Sequence, residues 1–401
     1  MVGLVIDGQS GGHGVTLVDL SSESGEAHYR QVVAAAVERV VGSGQTILAE
    51  GVRGFEQGFA AWLGRGLSAD HCLGVANGTE ALELAMRCAG VQPGDGVIVP
   101  SFTAYATVAA ILRIGANPLF VDVEPDRPVL CPREVERLLA DSGNSARIRA
   151  VIAVHLYGEA CDLRALRELC DRNALALIED CAQATGTLYE SDPIGTWGDF
   201  AAFSFYPTKN LAALGDGGML VLGRRADPSL LAIARRMRLY GWDQQREAVQ
   251  FGINSRLDEV QAWILSGKLS DLDERIQARR RIANHYRELL GSWASRMGIH
   301  LPKDGVNWSH SYHLFVIKVD PAKRQDILSR GAADGIPYAV HYPLACHQHA
   351  YIAKRPEAPQ YHLPRTENLA ASVVSLPLNP YLKEEDVMLI SAHLRSILGD
   401  T

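Results

Sequence analysis

Six short apolar runs, at 97–99, 118–121, 150–154, 174–178, 201–205 and 219–222, recur along the first half of this chain. Each is too short for a helix and apolar on both sides, which is the pattern of strands buried on both faces of a sheet. The stretches between them carry helical periodicity, so the runs are joined by crossovers, and the sheet they build is mostly parallel with helices on both faces. The chain is therefore expected to be α/β. Amphipathic helices are predicted before the first run, at 29–41 and 51–63, and another at 79–89 opens after Asn77-Gly78. A long helical stretch at 257–290 leads to a strand-like run at 313–318 and a last helix at 384–398. These describe a smaller α+β domain. The expected division is an extension at 1–28, a large domain at 29–285 and a small C-terminal domain at 286–401.

With 401 residues, 47% of them hydrophobic and 21% charged, the chain can bury one large core and a companion domain. A formal charge of −7 disfavours nucleic acid and anionic membrane as principal partners and suits small metabolites. Seven scattered cysteines without a CxxC pair suggest neither a disulfide framework nor a zinc site, so no metal is expected. No run approaches a membrane span, and Met1 to Asp7 lacks the basic and long apolar regions of a signal peptide, which points to the cytoplasm. Gly8, Gly11, Gly12 and Gly14 do not form a dinucleotide fingerprint, because Leu17 stands where its last glycine belongs.

The chemistry concentrates at the end of the fifth run, Ala202-Phe-Ser-Phe-Tyr-Pro-Thr-Lys-Asn210. A strand end delivers Lys209 into a sheltered site where a lowered pKa frees its amine to attack an aldehyde, and Ser204 is placed to hold a phosphate. One ligand carrying both groups is pyridoxal 5′-phosphate. Such a cofactor also needs a carboxylate for its pyridine nitrogen. Asp180, at the end of the fourth run, is the candidate, with a helix cap as its ordinary alternative. Gln183 is three residues on and able to donate to the ring hydroxyl, and Gly78-Thr79 opens a helix whose first N–H groups attract an anion.

The ordered set Gly78-Thr-Glu80, Val99-Pro-Ser-Phe-Thr103, His155-Leu-Tyr-Gly158, Glu179-Asp-Cys-Ala-Gln183, Ser204-Phe-Tyr-Pro-Thr-Lys-Asn210, Gly215-Asp-Gly-Gly218, Gly252-Ile-Asn-Ser-Arg-Leu-Asp258 and His341-Tyr-Pro343 resembles the sugar aminotransferases of the DegT/DnrJ/StrS family. The resemblance spans about 29 to 395. It implies the fold of the aspartate aminotransferase superfamily, pyridoxal phosphate as cofactor, and a homodimer with sites at the subunit interface. It also implies amino transfer from an amino acid to a nucleotide-linked ketosugar.

Carried over by position, the resemblance makes Lys209 the cofactor lysine and proton carrier, Asp180 the pyridinium partner, and Gln183 the contact to the ring oxygen. Gly78, Thr79 and Ser204 hold the phosphate, and Asn254 reaches the neighbouring subunit's cofactor. One departure stands out: where the family commonly stacks an aromatic residue on the ring, this chain has Ala104, followed by Tyr105. Tyr105 or another side chain must take that role. Tyr206, His155, His341 and His347 are candidate substrate contacts, and the arginines at 235, 236, 238, 279, 280 and 281 are either diphosphate ligands or a solvated face.

The block around Tyr206 is most similar to the family branch acting on 3-keto-6-deoxyhexoses linked to dTDP, whereas C-4 branches more often carry His there. Transfer at C-3 is the leading expectation and C-4 the alternative. Other readings are a dehydratase, which looks different at the lysine position, a non-catalytic sensor of nucleotide sugars, and a nicotinamide-linked reductase.

Overall fold

The computed structural model of the chain describes residues 27–141, 147–355 and 360–399. The extension expected at 1–28 lies outside the described residues as far as residue 26. The strands are β1 (Cys72–Val75), β2 (Gly96–Pro100), β3 (Asn117–Val121), β4 (Ile148–Val154), β5 (Ala176–Asp180) and β6 (Leu188–Tyr189). They continue with β7 (Asp192–Pro193), β8 (Phe200–Ser204), β9 (Gly218–Leu222), β10 (Trp308–Ser309), β11 (Phe315–Lys318) and β12 (Val373–Leu376).

Seven of these form one sheet in the order β1-β9-β8-β5-β4-β2-β3. β9 runs against both its neighbours, and the remaining adjacent pairs are parallel. This is the predicted α/β sheet. β1 escapes the sequence pattern because it is four residues long with Gly74 inside, too short and too interrupted to read as a strand.

Alternation of side chains divides the sheet between two cores. Ala201 and Phe203 face one, where helix Glu50–Leu63 brings Phe59 to 5.0 Å from Phe203 in an edge-on contact. Phe200 and Ala202 face the other, with Leu84 and Ala85 of helix Gly78–Cys88 and Val108 and Ile111 of helix Tyr105–Arg113. Burial on both faces is what a parallel sheet requires.

The helical stretch predicted at 257–290 is two helices, Glu259–Leu269 and Leu272–Arg296. Ser270 between them turns its hydroxyl back to the Gly267 carbonyl at 2.9 Å, offering the backbone an alternative to helix continuation. The second helix runs across both parts of the chain. Leu272 and Ile276 belong to the core under the large sheet, while Ile282, Tyr286, Leu290 and Trp293 pack with Phe315, Leu376 and Leu394 around the antiparallel pair β11–β12. Among the described residues no helix is long and apolar enough to cross a membrane.

Candidate active site

Parallel strands that end on the same edge leave a crevice at their carboxyl ends. Here that edge carries Asn77 after β1, Ser101 after β2, His155 after β4, Asp180 at the end of β5 and Ser204 at the end of β8. Three backbones converge there. A β-carbon on Gly78 would lie 2.8 Å from the Ser204 Cβ, and one on Gly218 would lie 2.4 Å from the Asn77 carbonyl carbon and 2.8 Å from the Gly78 nitrogen. The Asn77 side chain caps helix Gly78–Cys88 by accepting from the Glu80 N–H at 2.9 Å. The helix opening at Gly78 and Thr79 and the end of β8 at Ser204 are thereby packed closely, an arrangement that could hold an anion.

Lys209 follows β8 on a folded loop. Its N–H donates to the Tyr206 carbonyl at 2.8 Å, the Ala213 N–H donates to the Phe205 carbonyl at 2.7 Å, and Asn210 Nδ2 ties the loop to the Thr185 and Ser311 carbonyls at 3.1 and 3.3 Å. Burial lowers the pKa of the Lys209 amine to about 8, against the pull of the Asp180 charge in the other direction. Both oxygens of Asp180 are held: Thr107 Oγ1 donates to Oδ2 at 2.7 Å and the Ala182 N–H donates to Oδ1 at 3.1 Å. Burial raises the Asp180 pKa, and these two donors together with Lys209 oppose the rise.

Gln183 is oriented rather than free. Its Oε1 accepts from the Tyr157 N–H at 2.9 Å and its Nε2 donates to the Tyr342 hydroxyl at 2.8 Å. The Tyr157 hydroxyl in turn donates to the His341 carbonyl. Segment 341–342 thereby docks on the Asp180 side of the crevice, with the His341 ring held by the Ser375 hydroxyl at 2.9 Å. Burial, and then the charge of Lys209, lower the His341 pKa to about 4, so its imidazole is neutral at pH 7.

Two of the four candidate substrate contacts are corrected by the geometry. His155 is fully buried, with Nε2 on Glu179 Oε2 at 3.1 Å and Nδ1 accepting from the Cys161 N–H at 3.1 Å. Both ring nitrogens are used inside the protein, and no substrate can reach them. Glu179 is equally saturated by the N–H groups of Gly195, Trp197 and Gly198, so His155 and Glu179 form a buried brace beneath Asp180. His347 is a clasp: its Nδ1 meets the Ser101 hydroxyl at 2.7 Å and its Nε2 lies 3.5 Å from Glu367.

Tyr105 begins helix Tyr105–Arg113 and lays its ring against His349, 4.8 Å between centroids. Tyr206 is half-buried in the Lys209 loop, and Asn254 is exposed beside Ser255, whose hydroxyl accepts from the Ala76 N–H at 3.2 Å. The arginines do not act as one group. Arg238 is paired with Glu56 at 3.0 Å, Arg279 donates to the carbonyls of Tyr312, His313 and Leu378, and Arg280 to those of His310 and Gly186. These three stitch backbones together. Thr107 and Tyr342 were not singled out by the sequence, although Thr107 stands one helical turn from Thr103 and Tyr342 lies inside a recognised block.

An anion cradle, a buried carboxylate and a lysine of lowered pKa on adjoining strand ends match the phosphate, pyridine nitrogen and aldehyde of pyridoxal phosphate. Fold and site together define the class of pyridoxal-phosphate aminotransferases. Residues 28–395 match the DegT/DnrJ/EryC1/StrS aminotransferase family, and the chain belongs to it. It is 41% identical over 355 residues to the dTDP-3-amino-3,4,6-trideoxy-α-D-glucose transaminase of Streptomyces venezuelae, covering 88% of this chain and 89% of that protein. The crystal structure of S. venezuelae DesV in complex with an intermediate superposes with a TM-score of 0.87 at 38% identity, over 96% of this chain and 99% of that one. Bacillus subtilis NtdA with its bound cofactor PMP superposes with a TM-score of 0.82 at 25% identity, over 95% and 83% of the two chains.

Proposed function

We propose that this chain transfers an amino group from an amino acid, glutamate in the first instance, to carbon 3 of a dTDP-linked keto-deoxyhexose. The observation that carries the reading is the pairing of a lysine amine near neutrality with a buried, doubly held carboxylate in a chain so similar to a transaminase of that sugar class. Pyridoxal phosphate, when bound, supplies the electron sink and carries nitrogen between the two substrates. The chain's residues do the rest. The cradle at Gly78, Thr79 and Ser204 holds the phosphate, and Asp180 keeps the ring nitrogen protonated. Gln183, fixed by Tyr157 and Tyr342, orients the ring oxygen. Lys209 Nζ would serve as the proton carrier, taking the proton from the donor carbon that bears nitrogen and, in the other half-reaction, giving one to the sugar carbon that receives it.

A homodimer with shared sites is part of the proposal. Asn254 is exposed, as are Leu214 just beyond the lysine loop and Tyr240, Val249 and Phe251, large apolar side chains that a second copy would cover. Tyr206, beside Lys209, and the neutral His341 are the side chains proposed to meet the sugar, and Tyr105 remains the candidate for the cofactor ring. Residues 29–285 and 286–401 are taken as the large and small domains, and the cytoplasm as the compartment.

Comparison of dTDP-3-keto and dTDP-4-keto substrates by kcat/KM, with NMR of the product, tests the reading. A tenfold or greater preference for the 4-keto sugar, about 1.4 kcal/mol in transition-state binding, assigns the chain to C-4. A colourless protein that takes up no cofactor assigns it to sensing.

A further inference from the structure

Asp180 is approached on one side by the first turn of helix Tyr105–Arg113, and that turn presents the Thr107 hydroxyl to it. Thr107 Oγ1 lies 2.7 Å from Asp180 Oδ2, and Thr103 Oγ1 lies 3.2 Å behind Thr107 Oγ1. All three side chains are buried, with Thr107 only 1% exposed. A threonine hydroxyl has one proton to give: with Thr107 donating to Asp180, the hydrogen bond between the two threonines is filled by the Thr103 proton. The positive end of the same helix adds to the preference for a negative charge there.

We propose that Thr107, backed by Thr103, is a positioning residue of the transamination site, holding Asp180 ionised and aimed so that it keeps the cofactor's ring nitrogen protonated. This rests on the aminotransferase reading above. Burial by itself drives Asp180 towards the neutral acid, and a neutral Asp180 no longer favours a pyridinium. The ionisable groups around it are Lys209, His155 beneath it, Tyr342 and Cys181. His155 is committed to Glu179 and the Cys161 N–H, and Tyr342 to Gln183, so among the described residues the Thr107 hydroxyl and the Ala182 N–H are the donors on the carboxylate itself. Thr107→Val removes the hydroxyl and keeps the shape. Thr107→Ser restores it.

The test is 15N NMR of the protein loaded with ring-15N pyridoxal phosphate, titrated with alkali and read beside kcat for both half-reactions. In wild type and Thr107→Ser the ring nitrogen should stay protonated to the same pH. In Thr107→Val the ring-nitrogen signal should already be shifted towards that of the unprotonated pyridine at neutral pH, where Asp180 holds the proton, with kcat down about tenfold and the KM for the keto sugar unchanged. A Thr107→Val protein whose ring nitrogen titrates as wild type overturns the inference, whatever its activity. Wild-type protein that takes up no pyridoxal phosphate overturns the underlying reading as well, so the two failures are distinct.

Discussion

Gly78 and Ser204 touch backbone to side chain: a β-carbon on Gly78 would stand 2.8 Å from the Ser204 Cβ and 3.3 Å from its Cα. The two residues are 126 positions apart and come together because β8 lies beside the helix that opens at Gly78. Neither atom can move cheaply, since Ser204 ends a strand paired on both sides.

Gly78→Ala is therefore expected to fold and to lose cofactor. Inserting a methyl into a packed site costs roughly 1–3 kcal/mol, which, taken up in the cofactor site, corresponds to about fivefold to 150-fold in the dissociation constant of pyridoxal phosphate. Fluorescence titration of the apoprotein measures it. Wild-type affinity in this variant would remove Gly78 from the cradle.

Lys209 yields a pH prediction. Burial disfavours its ammonium, so the folded pKa of about 8 lies below the value of roughly 10.4 for an unfolded lysine. Cofactor uptake by the apoprotein should rise through pH 8 instead of pH 10, because the free amine is the reacting form. Between the two values the unfolded state binds more protons, so the penalty that Lys209 places on stability fades as pH rises across that window. Lys209→Ala should abolish transamination, and borohydride reduction of loaded wild type followed by peptide mapping should put the label on Lys209. A label elsewhere would refute the assignment.

The positions of Lys209, Asp180, Ser204 and Gly78 in the fold were legible because each combines a residue type with a strand end or helix start, and both signals are local. Thr107 and Tyr342 were not, since their importance comes from partners 73 and 159 residues away, visible only once the strands are ordered. The same limit explains the arginines: Arg279 sits in a helical pattern typical of a solvated face, yet tertiary packing turns it onto three carbonyls. His155 misled for the opposite reason. Its place in a block shared with the family made it a candidate substrate contact, but the next backbone turn brings the Cys161 N–H over its second ring nitrogen. The strand–helix alternation held from β2 to β5 and failed beyond it, where β8 and β9 follow with no helix between them and β9 runs antiparallel, and the break at Ser270 depended on one side chain's choice of partner.

Asp180→Asn should leave the fold in place, because an amide fills the same volume and its oxygen still accepts from Thr107 or Ala182. Turnover is expected to fall by about 10²-fold or more, since a neutral amide does not hold the ring nitrogen protonated. Stopped-flow kinetics of the half-reaction with the amino donor measures this directly. Near-normal rates would reduce Asp180 to a structural group that ties the Ala182 N–H and Thr107.

The proposed dimer makes a prediction that one chain cannot satisfy alone. If Asn254 serves the partner's cofactor, a site consists of Lys209 from one protomer and Asn254 from the other. Homodimers of Lys209→Ala and of Asn254→Ala then have two damaged sites each. In a hybrid of the two, twofold symmetry brings both lesions into one site and leaves the other with neither. Equal mixing, with exchange verified by mass spectrometry, should restore about a quarter of wild-type activity, because about half the dimers are hybrids with one intact site apiece. Verified exchange without recovery would mean that Asn254 acts within its own chain, next to the Ala76–Ser255 contact, and the site would be complete in a single protomer.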